Sequence, residues 1–162
     1  AADEDISGYT STHLIYDKRA EDMEAGNYPG FAAVSIFHTQ VGGPVDGVST
    51  GWFMPAGGQM LDAFRNFSGL TLSGDTANPG EWGGVLSWSG CGNVGEVINT
   101  TIFAKISAEN KTEYAESHNG TMVATQASNQ MHRFMDVGVH GYVEYLCDWK
   151  NTTSYVRPML AF

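Results

Sequence analysis

The residues with the clearest chemistry are asparagines that lie two positions before a serine or threonine. This Asn-x-Ser/Thr pattern is the acceptor motif for N-linked glycans, and five of the nine asparagines carry it. Chance matching in a chain with 25 Ser and Thr residues would give roughly one or two such sites. The excess predicts an N-glycosylated protein of the cell surface or extracellular space. The five acceptor residues are Asn66, Asn99, Asn110, Asn119 and Asn151.

The two cysteines, Cys91 and Cys147, fit an exported protein with one disulfide. A bridge between them would close a loop of about 57 residues and stabilise the fold by about 4 kcal/mol on the chain-entropy model. The alternative is that each cysteine pairs with a neighbouring subunit. The first residues, Ala1-Ala2-Asp3, resemble the end that a signal peptidase leaves after small residues.

Ser49 stands in a G-x-S-x-G sequence that spans residues 47–51. In a hydrolase this serine sits on a tight turn from strand to helix, where its hydroxyl faces a histidine. Here residues 52–54 read as a continuing strand, and no alternation of helices and strands surrounds the motif. We therefore expect a glycine-flanked strand and no enzymatic activity.

The histidines show no metal-binding spacing. None of them forms H-x-H or H-E-x-x-H, and neither cysteine lies in C-x-x-C. We expect hydrogen-bonded structural histidines, no metal and no cofactor, although a pair of glycosidase carboxylates stays open because their separation is a property of the fold. Trp82, in a loop, is the best candidate for stacking on a sugar. The histidines are His13, His38, His118, His132 and His140.

Charge and hydropathy exclude two classes of partner. Eight basic residues against eighteen acidic ones give a net charge of −10, which repels nucleic acid and anionic lipid. No run of eighteen apolar residues is present, so we expect no membrane span. The length of 162 residues suits a single domain, residues 1–162, with a proper core.

The elements that would position these groups read as strands. Residues 136–150 alternate between an apolar and a mostly polar set, which predicts one long strand with one buried face. Val137, Val143, Cys147 and Trp149 share the apolar set, which favours a Cys147 disulfide on the core side. Further strands are predicted at 9–16, 31–41, 48–54, 70–73, 85–88, 94–106, 121–125 and 155–162.

Short helices are predicted at 17–25, within 55–67 and at 126–135. Together the pattern predicts a mainly β fold. We expect a sandwich or a jelly-roll-like pair of antiparallel sheets with two or three short helices.

Two family resemblances bear on function. Gly57-Gly58-Gln59-Met60 after Trp52 resembles extracellular b-type cytochrome domains, β-sandwiches whose haem is held by Met and His; we expect Met60 to be a core residue instead. The chain as a whole resembles the amyloid-like sheath proteins of methanogenic archaea. That resemblance implies an acidic, exported, β-rich subunit that assembles edge to edge.

The apolar end of the chain is the candidate assembly segment, because it must be buried either in its own sheet or in a neighbour. We therefore expect a secreted, glycosylated structural protein that self-assembles through strand edges into a sheath, layer or filament. The first alternative is a soluble carbohydrate-binding module with glycans as partners, and the second is a metal- or haem-binding β-sandwich. The residues of the assembly segment are Tyr155, Val156, Met159, Leu160 and Phe162.

Overall fold

The structure is a computed structural model that describes ten stretches of the chain. These are residues 6–41, 48–68, 86–89, 94–101, 103–105, 107–108, 120–126, 131–137, 142–149 and 154–160. The α-helices of these stretches are α1 (Gly8–Lys18), α2 (Ala20–Glu24), α3 (Pro29–Val41), α4 (Gly57–Ser68) and α5 (Val94–Thr101). A short 3-10 helix, Phe103–Lys105, follows α5.

The strands of the described residues form one small sheet. They are β1 (Leu86–Ser89), β2 (Thr121–Gln126), β3 (Met131–Val137), β4 (Tyr142–Trp149) and β5 (Tyr155–Val156). Their order in the sheet is β1-β4-β3-β2-β5. All neighbours are antiparallel except β5, which runs parallel to β2 over only two residues.

The prediction of a mainly β sandwich or jelly roll is wrong. The described residues contain five helices, and these hold more residues than the single small sheet. Three predicted strands, 9–16, 31–41 and 94–106, are largely helical as α1, α3 and α5. Of the predicted strand 48–54, only Phe53 makes a bridge, to Met159. Residues 70–73 lie outside the described residues.

The predicted long strand 136–150 is also wrong as one element. Val137, the last residue of β3, pairs with Val143 in β4, so the chain reverses between them. The predicted helix 126–135 is wrong, because residue 126 ends β2 and residues 131–135 belong to β3; residues 127–130 lie outside the described residues. Val137 and Val143 are both fully buried in the same core, but Asp136 is also buried and Trp149 is 41% exposed, so the single buried face predicted for residues 136–150 is only partly present.

Several elements follow the sequence pattern. The predicted helical turns within 55–67 correspond to α4, and most of the predicted helix 17–25 corresponds to α2. The predicted strands 85–88 and 121–125 correspond to β1 and β2. Gly26, which directly follows the predicted helix 17–25, has φ of +84°, the left-handed conformation that ends helices. None of the helices in the described part of the chain is long and apolar enough to cross a membrane.

The main core lies between the sheet and helices α4 and α5. Helix α4 contacts β2, β3 and α5. Apolar side chains recur at helical spacing on both helices, so each helix has one apolar face. These faces pack against the side of the sheet that is formed by the odd-numbered residues of β3 and β4. The buried cluster consists of Met60, Leu61, Phe64, Val94, Ile98, Val123, Met135, Val137 and Val143.

The opposite face of the sheet is covered at β2 by the first helices. Helix α1 contacts β2, and Gly30 at the start of α3 lies directly against the Met122 side chain. Pro29 is the first residue of α3, where its missing N–H leaves no hydrogen bond unmade. The sheet is therefore covered on both faces around β2, and the second face holds the candidate site.

Candidate ligand-binding groove

A half-open groove of about 390 Å³ lies between α1, the start of α3 and strand β2. This volume is within the range of small-molecule sites. Its walls come from three separate parts of the sequence: residues 7–15, residues 27–31, and residues 122–125 together with β3. The lining residues are mostly apolar, and no Asp, Glu, Lys or Arg is found among those that the structure describes.

One wall of the groove is a stripe along α1. Ser11 lies four residues after Ser7, the residue that precedes α1, and Leu14 and Ile15 lie three and four residues after Ser11, so all four lie on the same side of α1. Leu14 is 57% exposed even though it lines the groove. The hydroxyl oxygens of Ser7 and Ser11 are 3.4 Å apart, which places a polar edge beside the apolar part of the stripe.

The opposite wall and the base combine aromatic, thioether and small polar groups. Tyr28 and Phe31 meet edge to face with ring centroids 6.3 Å apart, and both line the groove. The side of β2 contributes Met122 and Ala124. At the base lies His132, which is only 6% exposed and whose ring centroid is 6.0 Å from that of Phe134.

The wall formed by α1 is fixed by one buried and two partly buried hydrogen bonds around the neighbouring side of this helix. The amide of Met54 donates to Thr12 Oγ1 at 3.0 Å, and both residues are fully buried. Gln59 Oε1 accepts from the amide of Gly8 at 3.1 Å and from that of Ala56 at 3.0 Å. We call Gly8, Thr12, Met54, Ala56 and Gln59 the α1 clamp. It holds one side of α1 so that the adjacent side faces the groove.

Tyr16 joins α1 to α3 beside the groove. Its hydroxyl donates to the carbonyl oxygen of Phe31 at 3.3 Å. Burial raises the pKa of Tyr16 from 10.0 to about 12, because a half-buried phenolate loses hydration that the neutral phenol does not need. The phenol is therefore neutral, and a hydrogen-bond donor, throughout the physiological range.

The base of the groove is tied to the main core through Thr125. The amide of Gly57, the first residue of α4, donates to Thr125 Oγ1 at 3.0 Å. The amide of Ala124 donates to the carbonyl oxygen of Pro55 at 2.8 Å. The groove thus rests on the same segment, residues 54–57, that the α1 clamp grips from the other side.

The glycan acceptor sites lie away from the groove where the structure describes them. Asn66 is exposed on α4, and Asn99 is half-buried on α5. Asn99 falls within the predicted strand 94–106 but is helical in the structure. Asn110, Asn119 and Asn151 lie outside the described residues.

The predicted disulfide and assembly segment stay predictions. Cys147 is half-buried on β4, on the same face as Val143, whereas Cys91 lies outside the described residues. Tyr155 and Val156 pair with β2 of their own chain. Met159 and Phe53 exchange two backbone hydrogen bonds of 2.9 Å, and Leu160 is half-buried. Phe162 lies outside the described residues.

The other candidate residues are dispersed. Met60 is a core residue, as expected, with 2% exposure. His38 is half-buried near the end of α3, while Trp82, His118 and His140 lie outside the described residues. No cluster of three or more His, Cys, Asp or Glu side chains with metal-binding geometry is found in the described part of the chain.

The described part of the G-x-S-x-G sequence, residues 48–51, runs past the side chain of His13. A Cβ placed on Gly51 would lie 3.7 Å from His13 Nε2. His13 in turn packs against Tyr9, with ring centroids 4.3 Å apart. Residues 49–52 are neither strand nor helix, and α4 begins only at Gly57, so the strand predicted here is wrong and the strand-to-helix turn does not occur at Ser49.

Sequence reasoning missed the groove because α1 and α3, which contribute two of its walls, were interpreted as the strands 9–16 and 31–41. Gly8 and Thr12, spaced by four, were the available signal for a helix that buries its small residues. Comparison with protein-family models, curated proteins and solved structures finds no match. The groove geometry and the sequence motifs are therefore the basis for the functional assignment.

Proposed function

We propose that the protein is a secreted, N-glycosylated binding protein that takes a small ligand in the groove between α1, α3 and β2. The observation that carries this proposal is a concave, mostly apolar site of about 390 Å³ with a few polar groups at its edge and base. Such sites are the usual place for small ligands in globular proteins. The excess of acceptor motifs supports the extracellular location.

The ligand-binding part is tested with the environment-sensitive dye phenylnaphthylamine, which fluoresces when it enters an apolar site. We expect saturable binding with a stoichiometry of one. Ala124→Trp, which places a large side chain in the lining, should abolish it, while Ala33→Trp at an exposed position of α3 should not. Equal dye binding by both variants would assign the dye to another surface and contradict the proposal.

The location is tested by expression through a eukaryotic secretory pathway and mapping of glycosylated peptides. Asn66 is the acceptor site that the structure places in an exposed position, so we expect it to be occupied. Asn66→Gln should then remove one glycan, as seen in the mobility of the protein before and after deglycosylation. A secreted protein without glycans at any of the five sites would contradict this part.

Self-assembly into a sheath, layer or filament is the second candidate. The observation that favours it is the position of β1 at the end of the sheet order, paired with β4 as its one neighbour among the described strands. An edge strand can recruit a strand of a second molecule. Size-exclusion chromatography with and without reductant tests this candidate, and a clean monomer in both conditions would reject it.

A further inference from the structure

We propose that the ligand of the groove is an uncharged amphiphile, whose apolar body lies against α1 and β2 and whose neutral polar group faces the serine edge or His132. This inference rests on the proposed function and names the class of ligand. The argument starts from what the groove offers. Its lining contains apolar side chains, hydroxyl groups, one amide and one imidazole, and no carboxylate, ammonium or guanidinium among the described residues.

A charged ligand group would lose hydration in this groove without gaining an opposite charge. Burial of an unpaired ion is much more costly than burial of a hydroxyl or amide that finds a hydrogen-bond partner. Ser11 and Asn27 provide both donors and acceptors for such a neutral group. The lining therefore discriminates against charge of either sign while accepting hydrogen-bonding groups.

The net charge of the chain affects cationic and anionic ligands in opposite directions. At −10 the protein repels anionic ligands and attracts cationic ones over long range. This field acts mainly on the rate of encounter and is screened by salt. At physiological salt we expect the lining of the groove to determine the affinity. An uncharged ligand should therefore bind more tightly than a cation or an anion with the same hydrocarbon chain.

The apolar wall is adaptable in shape. Met122 lies under Gly30 with its sulfur in contact, and Met54 reaches the same point with its terminal methyl group. Methionine side chains are unbranched and flexible, so they fill irregular spaces and adjust to different apolar bodies. The site thus selects for the absence of charge more than for one particular hydrocarbon shape.

The test uses three competitors with the same eight-carbon chain: octanol, octanoate and octylammonium. Each displaces phenylnaphthylamine from the glycosylated protein at pH 7.5 and physiological salt. We expect octanol to bind at least about tenfold more tightly than either ion. Equal affinities, or tightest binding of either ion, would overturn the inference. Failure of the dye to bind at all would instead reject the proposed function.

Two exposed aliphatic residues, Leu14 and Ile36, provide a matched pair of variants. Leu14 is 57% exposed and lines the groove, whereas Ile36 is 56% exposed on α3 and is not part of the lining. Leu14→Glu and Ile36→Glu add the same charge at the same exposure, and neither removes a buried side chain. Thermal unfolding confirms that both variants fold.

Leu14→Glu should weaken octanol binding by about tenfold and make octylammonium the preferred competitor, because the groove then holds a carboxylate. Ile36→Glu should leave both affinities within about twofold of the original. The same response in both variants would show that net charge, and not the lining, sets the preference. That result would overturn the inference.

Discussion

Replacement of Thr12 by valine tests whether the α1 clamp stabilises the fold through its hydrogen bond. Valine has nearly the same shape as threonine but cannot accept the hydrogen bond from the Met54 amide, which is 3.0 Å from Thr12 Oγ1. Both residues are fully buried, so the amide would be left without a partner. An unsatisfied buried amide costs about 1–3 kcal/mol.

The expected change in Tm follows from the size of the chain. For a domain of this length each kcal/mol lowers Tm by about 2–4 °C, so a loss of about 2 kcal/mol predicts a decrease of about 4–8 °C. Thr12→Ser keeps the acceptor and loses one buried methyl group, which costs about 1 kcal/mol. The expected order of stability is therefore wild type, then Thr12→Ser, then Thr12→Val.

Thr39→Val is the control at an exposed position. The Thr39 hydroxyl donates to the carbonyl oxygen of Ile36 at 2.7 Å, but water can replace that bond. Its effect should stay within about 0.5 kcal/mol. Differential scanning calorimetry and hydrogen exchange at the Met54 amide provide the measurements. A Thr12→Val variant as stable as Thr12→Ser would refute the argument, because packing alone would then account for the site.

Three further predictions concern stability. Gly8→Ala should cost more than Gly30→Ala in chemical denaturation, because a Cβ at Gly8 meets two backbone atoms at 2.5 Å while one at Gly30 meets the flexible ends of two methionines. Leu61→Ala, at a fully buried position, should lower the free energy of unfolding by about 2–5 kcal/mol. Tyr16, with its pKa raised to about 12, should give a late phase above its ordinary value of 10.0 in an ultraviolet absorbance titration, and Tyr16→Phe should remove this phase. Its contribution to stability should be complete below pH 10 and decline as the pH rises through about 12.

The sequence predicted those elements in which local pattern and tertiary packing agree. In α4, Met60, Leu61 and Phe64 follow helical spacing, and all three enter the core. In β4, Val143 and Cys147 lie on one face, as the alternation indicated. These segments carry their own periodicity, so they could be identified without knowledge of what packs against them.

The helices that were missed have compositions that favour strands. Residues 9–16 are rich in Thr and Tyr, yet α1 forms because Gly8 and Thr12 fit closely against residues 54–59. Propensity is a weak preference that such tertiary contacts override. In α5, Val94, Val97 and Ile98 have the helical spacing, whereas the alternation of a strand would place Val97 on the face opposite to Val94 and Ile98.

The groove could not be predicted because no single segment contains it. Leu14, Tyr28 and Met122 come together only when α1, α3 and β2 pack, and each segment alone carries no recognisable motif. Sequence motifs predict chemistry when a short stretch supplies the reacting groups. A site that consists of shape and the absence of charge leaves no such signature.

The α1 clamp and the groove lie on different sides of α1, so a substitution can change the stability of the clamp without changing the lining of the groove. Thr12→Val weakens the clamp and should lower the free energy of unfolding by about 2 kcal/mol. Because native domains have a free energy of unfolding of about 5–15 kcal/mol, more than about 99% of the molecules should still be folded at 25 °C. If α1 opens only when the whole domain unfolds, octanol affinity at 25 °C should remain within about twofold of wild type although Tm falls. Isothermal titration at 25 °C gives this affinity directly. A loss of about tenfold would mean that α1 detaches by itself, because the fraction of binding-competent protein then falls before the domain unfolds. The groove would in that case be a dynamic site, and the hydrogen bond between Thr12 and Met54 would control the entry of its ligand.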